Sequence, residues 1–311
     1  MEFEGKYLDG EKNGKAKEYY DNGNLKFEGE YSFGKRNGKG KEYHENGKIK
    51  FVGEYLNEKK NGKAKEYYDN ENLEYEGEYL YDERHGKAKE YYDNGILKFE
   101  GEYLNGKKWN GLYKEYYYGN LKNEFHYING QKHGKAKEYY DNSKLEFDGE
   151  YTYGKRNGKA KEYYDNGILK FEGYYSYGNR YGKAKEYHKN GKMKFEGEYI
   201  NGKKNGKGKE YYDNDNLLFD GEYLYGERHG KAKEYYDNGI LKFEGEYLNG
   251  NKNGNAKEYY DNNKLFFEGE YSNGRKKIGK EYDKDGKITH DGEYHYYESS
   301  YSGGGGGCII L

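Results

Sequence analysis

Proline is absent from this 311-residue sequence, cysteine and tryptophan occur once each, methionine twice, and only 32% of the residues are hydrophobic. Globular chains usually run near half. Without proline, nothing interrupts a long strand ladder. A lone cysteine excludes a disulfide framework. No apolar run reaches the roughly 18 residues of a membrane-spanning helix. The opening MEFEGKYLDG has neither the basic nor the apolar region of a secretory signal, so the chain reads as cytosolic. An excess of either charge is missing too, with 55 basic residues against 57 acidic.

Tyrosine, at 46 residues, is in excess. A charged fraction of 36% with low hydropathy is the composition of disorder. The placement of the aromatics, 19% of the chain, contradicts that reading. A stretch like FEGEYLNGKKNGKAKEYYDNGILK recurs about a dozen times. The glycine of its GEY triplet falls at Gly5, Gly29, Gly53, Gly77 and Gly101, a step of 24 residues. Phe125 replaces it once. Gly149, Gly173, Gly197, Gly221, Gly245 and Gly269 keep the step, and Gly292 arrives one residue early. A fixed period in this range signals an array of units, each burying its apolar face against its neighbours.

Within a unit, Leu25, Phe27, Gly29 and Tyr31 alternate with Lys26, Glu28 and Glu30. That period of two marks a strand with one buried and one solvated face. The glycine lets a neighbouring ring lie flat on the backbone. In the second strand, Lys15 to Asp21, Ala16 and Tyr19 would point to opposite faces. Either a bulge reconciles them or both faces are partly covered. Asp21-Asn22-Gly23 reads as a tight hairpin turn, and Gly34 to Gly38 as a longer connection. The expected fold is all-β: an elongated antiparallel meander of about twelve 24-residue hairpins over residues 1–297. At about 4.8 Å per strand it would run on the order of 110 Å and would twist or coil. Near Trp109 the loop gains a residue and the turn at Tyr118-Gly119-Asn120 loses one, with Asn123 and Phe125 replacing the usual Phe and Gly. Repeat drift and a special contact site both account for this.

These units resemble MORN repeats through residues such as Phe27, Gly29, Tyr31, Gly34, Lys35, Gly38 and Gly40. The KEYYDNG half resembles the variant form of bacterial antitoxin-like repeat proteins, and Gly111-Leu112-Tyr113-Lys114-Glu115-Tyr116 carries the likeness. The resemblance covers nearly the whole chain to about Tyr297. It implies membrane-associated scaffolds, cytoskeletal linkers, or recognition arms beside kinase or methyltransferase domains. No such catalytic domain is visible here. The chain departs from the common pattern in using Tyr where Trp is frequent.

Cys308-Ile309-Ile310-Leu311 fits the C-a-a-X prenylation signal, whose final Leu favours geranylgeranyl. The Ser/Gly-rich stretch 298–307 would be a flexible tether giving a prenyltransferase access to Cys308. One lipid chain anchors weakly, so a second membrane contact is sought in the repeats. Lys35-Arg36, Lys59-Lys60, Lys107-Lys108, Lys155-Arg156 and Lys203-Lys204 are placed at equivalent loop tips. Asp21, Asp69, Asp93, Asp165 and Asp237 lie at the opposite turns. A basic rim near an anionic lipid leaflet would gain up to about 1 kcal/mol per charge. Equally, these charges would keep sheet edges soluble.

Catalysis needs a singular constellation, yet almost every polar residue is copied in each repeat. The Glu and Asp columns read as cross-strand partners of Lys. His85, His133 and His229 stand too far apart to share a metal and read as solvated loop residues. The glycine run before Cys308 precedes no helix and no Lys-Ser/Thr pair, so it is not a phosphate loop. Nucleic acid is not expected, since the net charge is -2 and the aromatics are needed as core. The expected function is a non-enzymatic, lipid-anchored scaffold at the cytoplasmic face of a membrane, without cofactor or metal, binding a protein partner of unknown identity. The alternative is a soluble interaction module, antitoxin-like or cytoskeletal, with no lipid.

Overall fold

The computed structural model describes residues 2–296. The tether 298–307 and the tetrapeptide from Cys308 to Leu311 lie outside the described residues. Every regular element among the described residues is a β-strand. Two compact units divide between Lys155 and Arg156. In the first, β1 (Phe3–Leu8), β2 (Glu11–Tyr19), β3 (Leu25–Ser32) and β4 (Lys35–Tyr43) begin a meander in which successive strands pair antiparallel. It continues to the strand Leu145–Thr152. The second unit repeats the pattern from Gly158–Tyr163 to Ile288–Glu293. The expected hairpin meander is what the chain forms.

The two connections exchange the characters that the sequence suggests. Ser32 pairs with Lys35, which leaves a two-residue turn, Phe33-Gly34, with φ of 49° and 74°. Two positive φ angles match the twist of a hairpin and close it tightly. Gly38, φ 91°, belongs to a bulge inside β4, where β4 carries extra residues opposite Glu30. The Asp21-Asn22-Gly23 turn is the longer one. Tyr20 N donates to Asn24 O and Gly23 N to Tyr20 O, and only Gly23 of the three is left-handed.

One face of each unit carries the rings. Phe27 is fully buried and Tyr31 nearly so, while Leu25 is half-buried. The glycine accommodates the ring of its own strand: a Cβ on Gly29 would fall 2.5 Å from Phe27 Cζ and 2.9 Å from Gly40 Cα. Phe27 meets Tyr31 edge-on at 5.6 Å and Tyr55 of the next hairpin at the same distance. Such pairs contribute about 0.5–1.5 kcal/mol each beyond area burial. Each hairpin is thus welded to the next by one ring shared between two tyrosines.

Ala16 and Tyr19 do lie on opposite faces. Ala16 is buried on the ring face, and Tyr19 donates its hydroxyl to Glu4 on the other. Both faces are therefore partly covered. Tyr20 bridges hairpins, its Oη 2.7 Å from Tyr43 O. Where that position is His44 or His188, the ring Nε2 lies 3.0 Å from Tyr67 O or Tyr211 O, which preserves the link.

The irregular hairpin, Lys107–Tyr117 with Asn120–Ile128, is a local repair. Its far turn shortens to Tyr118-Gly119, both left-handed. Asn123 occupies the Phe position and donates to Glu115. Phe125, two residues on and on the same face, is buried in its stead and meets Tyr151 at 5.8 Å.

Gly29→Ala should lower stability by about 1–3 kcal/mol through overpacking, read as a lower denaturation midpoint. A midpoint equal to wild type would show that the ring need not rest on bare backbone.

Candidate interaction surfaces

The ring face is closed by cations. Arg36 Cζ stands 4.2 Å above the Phe27 ring, and its Nη2 and Nη1 lie 2.8 Å from Glu18 and 3.1 Å from Glu42. Lys60 Nζ sits 4.2 Å over Phe51 and 2.8 Å from Glu66. Lys108 lies 4.4 Å from the Tyr113 ring and 3.0 Å from Glu90. Lys204 covers Phe195 at 4.2 Å and pairs with Glu210, and Arg156 faces Tyr175 at 5.9 Å. These second members of the Lys-Lys and Lys-Arg pairs are strand residues, not loop tips. The tight turn ends one residue before each pair, which draws both residues into the strand. Lys35, Lys59, Lys107, Lys155 and Lys203 open their strands immediately after the turns and are exposed. The basic rim is therefore half what the sequence suggests, because the other half is spent on rings and glutamates.

The carboxylates beneath the cations, Glu18 half-buried and Glu90 buried, hold their charge against burial. Burial works to raise Glu18, but hydrogen bonds from Lys12 and Arg36 reverse it and hold the group at about 2. Glu90 is also held at about 2, with Lys98, Tyr103 and Lys108 outweighing burial. Burial pushes Lys108 down, offset in part by Glu90. On the opposite face, burial and the bond to Glu28 push the Tyr43 phenol up to about 12.

That opposite face is a trough in each unit, about 1860 Å³ in the first and 1270 Å³ in the second. Lysine pairs such as Lys39 and Lys41 alternate across it with acids such as Glu28 and Glu30, over a floor of glycine and alanine. Lys41 meets Glu28 at 3.0 Å, Lys65 meets Glu76 at 3.0 Å, and Lys233 meets Glu244 at 3.1 Å. The acid columns are cross-strand partners, as the sequence indicates. Among the described residues, no group of three or more His, Cys, Asp or Glu is arranged to hold a metal. His85, His133 and His229 are half-buried strand residues beside the bulges, not solvated loop residues. Nδ1 of both His85 and His229 is buried without a hydrogen-bond partner.

The rims differ from one another. Asp21, Asp69, Asp93, Asp165 and Asp237 are exposed on the three-residue turns. The tight turns expose large apolar side chains: Leu8, Phe33, Leu56, Tyr81, Leu104 and Ile128 in the first unit, and Tyr177, Ile200, Tyr225 and Leu248 in the second. Phe33 is 81% exposed and Tyr177 75%. Phe33, Tyr81, Tyr153, Tyr177 and Tyr225 also take left-handed φ near 50°, where a bulky side chain is unfavourable. Turns that place Asn there, at Asn57, Asn105 or Asn201, still carry a preceding Leu or Ile, and Tyr81 and Tyr225 have both, following Leu80 and Leu224. Sequence reasoning missed this apolar row because it treated the connection as a long polar loop. The recurrence of an apolar residue at one or both of these positions, as in Leu56-Asn57, Ser32-Phe33 and Leu80-Tyr81, was its signal.

The sequence profile described as MORN repeat variant matches residues 12–32, 36–57, 60–81, 84–105, 132–153, 156–177, 180–201, 228–249 and 252–273. The MORN repeat profile matches 195–216. The irregular hairpin around Trp109 falls outside both. No curated protein matches. Among solved structures, the TcdB2-TccC3-Cdc42 crystal structure aligns at 13% identity and a TM-score of 0.21, covering 91% of this chain and 18% of that one. The Photorhabdus luminescens Tc holotoxin pore carrying a TccC3 mutation aligns at 12% identity and a TM-score of 0.20, covering 88% and 18%. The chain thus spans less than a fifth of the length of those chains.

Glu18 and Glu90 are depressed in the folded state, so the stability they contribute is present above the unfolded carboxylate range. It is lost as pH falls from about 4.5 towards 2. The melting temperature should drop across that window, and Glu90→Gln should flatten the drop. A melting temperature constant down to pH 2 would remove these ion pairs from the energetics.

Proposed function

We propose that this chain, which belongs to the MORN repeat variant family, is a non-enzymatic repeat scaffold held at the cytoplasmic face of a membrane by a lipid on Cys308. One observation carries the scaffold reading. At multiples of the 24-residue step a Lys or Arg recurs over the ring row with a glutamate partner, as Arg36 with Glu18, Lys60 with Glu66, Arg84 with Glu66 and Arg228 with Glu210 illustrate. Such a molecule offers extended surface rather than one reaction centre. The troughs, with their alternating charge rows, are where a protein partner would lie.

The anchor is supported by sequence: the chain's one cysteine is followed by Ile309, Ile310 and Leu311. A single isoprenoid binds membranes marginally, and firm attachment takes a second contact. The apolar tight-turn rim supports that role, since side chains such as Phe33 and Tyr81 suit the bilayer interface. Lys35, Lys59, Lys107, Lys155 and Lys203 beside the turns add attraction to anionic lipid.

Cells fed an isoprenoid probe should label the wild-type chain and not Cys308→Ser, and the variant should leave the membrane fraction. Equal membrane fractions would overturn the anchor. For the rim, Phe33→Asn with Tyr81→Asn places there the residue other turns use, so the fold is retained. Partition of the prenylated chain onto vesicles should fall by several-fold. Unchanged partition would exclude the rim from membrane contact.

A further inference from the structure

We propose that the outer edge of β1 joins a second copy of this chain, strand to strand, about a two-fold axis through Gly5. In the hairpins that follow β1, Tyr31, Tyr55, Tyr79 and Tyr103 each meet two rings. Tyr31 meets Phe27 at 5.6 Å and Phe3 at 6.1 Å, and Tyr55 meets Phe51 and Phe27. Tyr7 meets only Phe3, at 5.3 Å, and is 59% exposed. The described residues provide no strand on that side of β1. Among the described residues Tyr7 therefore has one ring contact fewer than Tyr31 or Tyr55.

The charge pattern of β1 departs from every other copy at one place. Its triplet is Gly5-Lys6-Tyr7, and Lys6 is the only lysine in a column otherwise occupied by Glu30, Glu54, Glu78 and their equivalents, apart from His126 and Tyr174. In an antiparallel pair centred on Gly5, Glu4 faces Lys6 of the partner subunit, and Lys6 faces Glu4 of the partner subunit. Phe3 faces Tyr7 of the partner subunit, which supplies the missing ring. With glutamate at position 6, carboxylates would instead face carboxylates, a destabilising arrangement for directly opposed residues.

The backbone agrees with this register. Tyr19 N donates to Glu2 O at 3.1 Å. Backbone groups along a strand alternate in direction, so those of Phe3 and Gly5 point away from β2, to the side on which no described strand lies and a partner can bond them. Gly5 opposite its own copy repeats the small-on-small register seen where Gly29 faces Ala16 and Gly40. An axis normal to the sheet keeps Glu4 and Lys6 on the trough face of both copies, so the trough runs on into the partner. One strand pair is a small interface, and its dissociation constant should be on the order of micromolar.

This association needs no lipid and stands apart from the anchor. Sedimentation equilibrium of the unprenylated full chain, at concentrations spanning the micromolar range, should show a monomer–dimer equilibrium. Lys6→Glu should weaken it at least tenfold, and so should Glu4→Lys. The exchange Glu4→Lys with Lys6→Glu should restore it, because opposite charges again face each other. Unchanged circular dichroism would show that each variant is folded. A wild type that stays monomeric would overturn the proposal and leave Lys6 as a guard against edge pairing. A dimer indifferent to Lys6→Glu, or one the exchange does not rescue, would overturn it as well.

Discussion

An aromatic ring lying on bare backbone is the constraint from which the rest of this architecture follows. A single-layer sheet has no second layer to bury its apolar face, so each ring must be buried by its own strand and its neighbours. Phe27 has Gly29 and Gly40 beneath it, Tyr31 and Tyr55 at its edges, and Arg36 above. The cation serves as a lid, with an alkyl stem that packs and a charged head that Glu18 and Glu42 neutralise. This explains how a chain with only 32% hydrophobic residues forms a core at all. It also explains the near balance of acids and bases, which are consumed pairwise at each step.

The period, the strand class and the ring face were legible because they rest on alternation and on comparison between copies within the chain. The turns were less so. Asn-Gly is a strong signal for a two-residue turn, yet Asp21-Asn22-Gly23 forms the longer connection. There, Asn22 Oδ1 accepts from Asn24 N and its amide reaches the next hairpin at Glu45 O. Phe33-Gly34 closes the tight turn despite an aromatic residue that propensity argues against, since the strand pairing on either side fixes both φ angles. That error moved the lysine pairs from strand to loop. It turned structural cations such as Arg36, Lys60 and Lys204 into candidate lipid ligands.

The two faces divide the work. The ring face is closed within the protein, and its charges are already paired. The trough and the tight-turn rim are the solvent-facing surfaces, one patterned in cross-strand ion pairs and the other apolar. The two surfaces are separate, one on a face of the sheet and the other along its tight turns. The irregular hairpin fits the same logic: Phe125 fills the ring position that Asn123 vacates, so continuity of the ring row is kept where the sequence drifts.

The joint from Tyr20 Oη to Tyr43 O recurs between successive hairpins, with histidine substituting without loss. Hairpins that share this joint are interchangeable parts; the irregular one departs from it, since Tyr92 Oη there donates to Lys114 O and accepts from Tyr116 N. Removing or duplicating one complete block leaves each surviving seam with a partner it already recognises. Reach can therefore vary in units of one hairpin at no cost in new chemistry, whereas a single-residue slip forces a change of turn, as at Tyr118-Gly119.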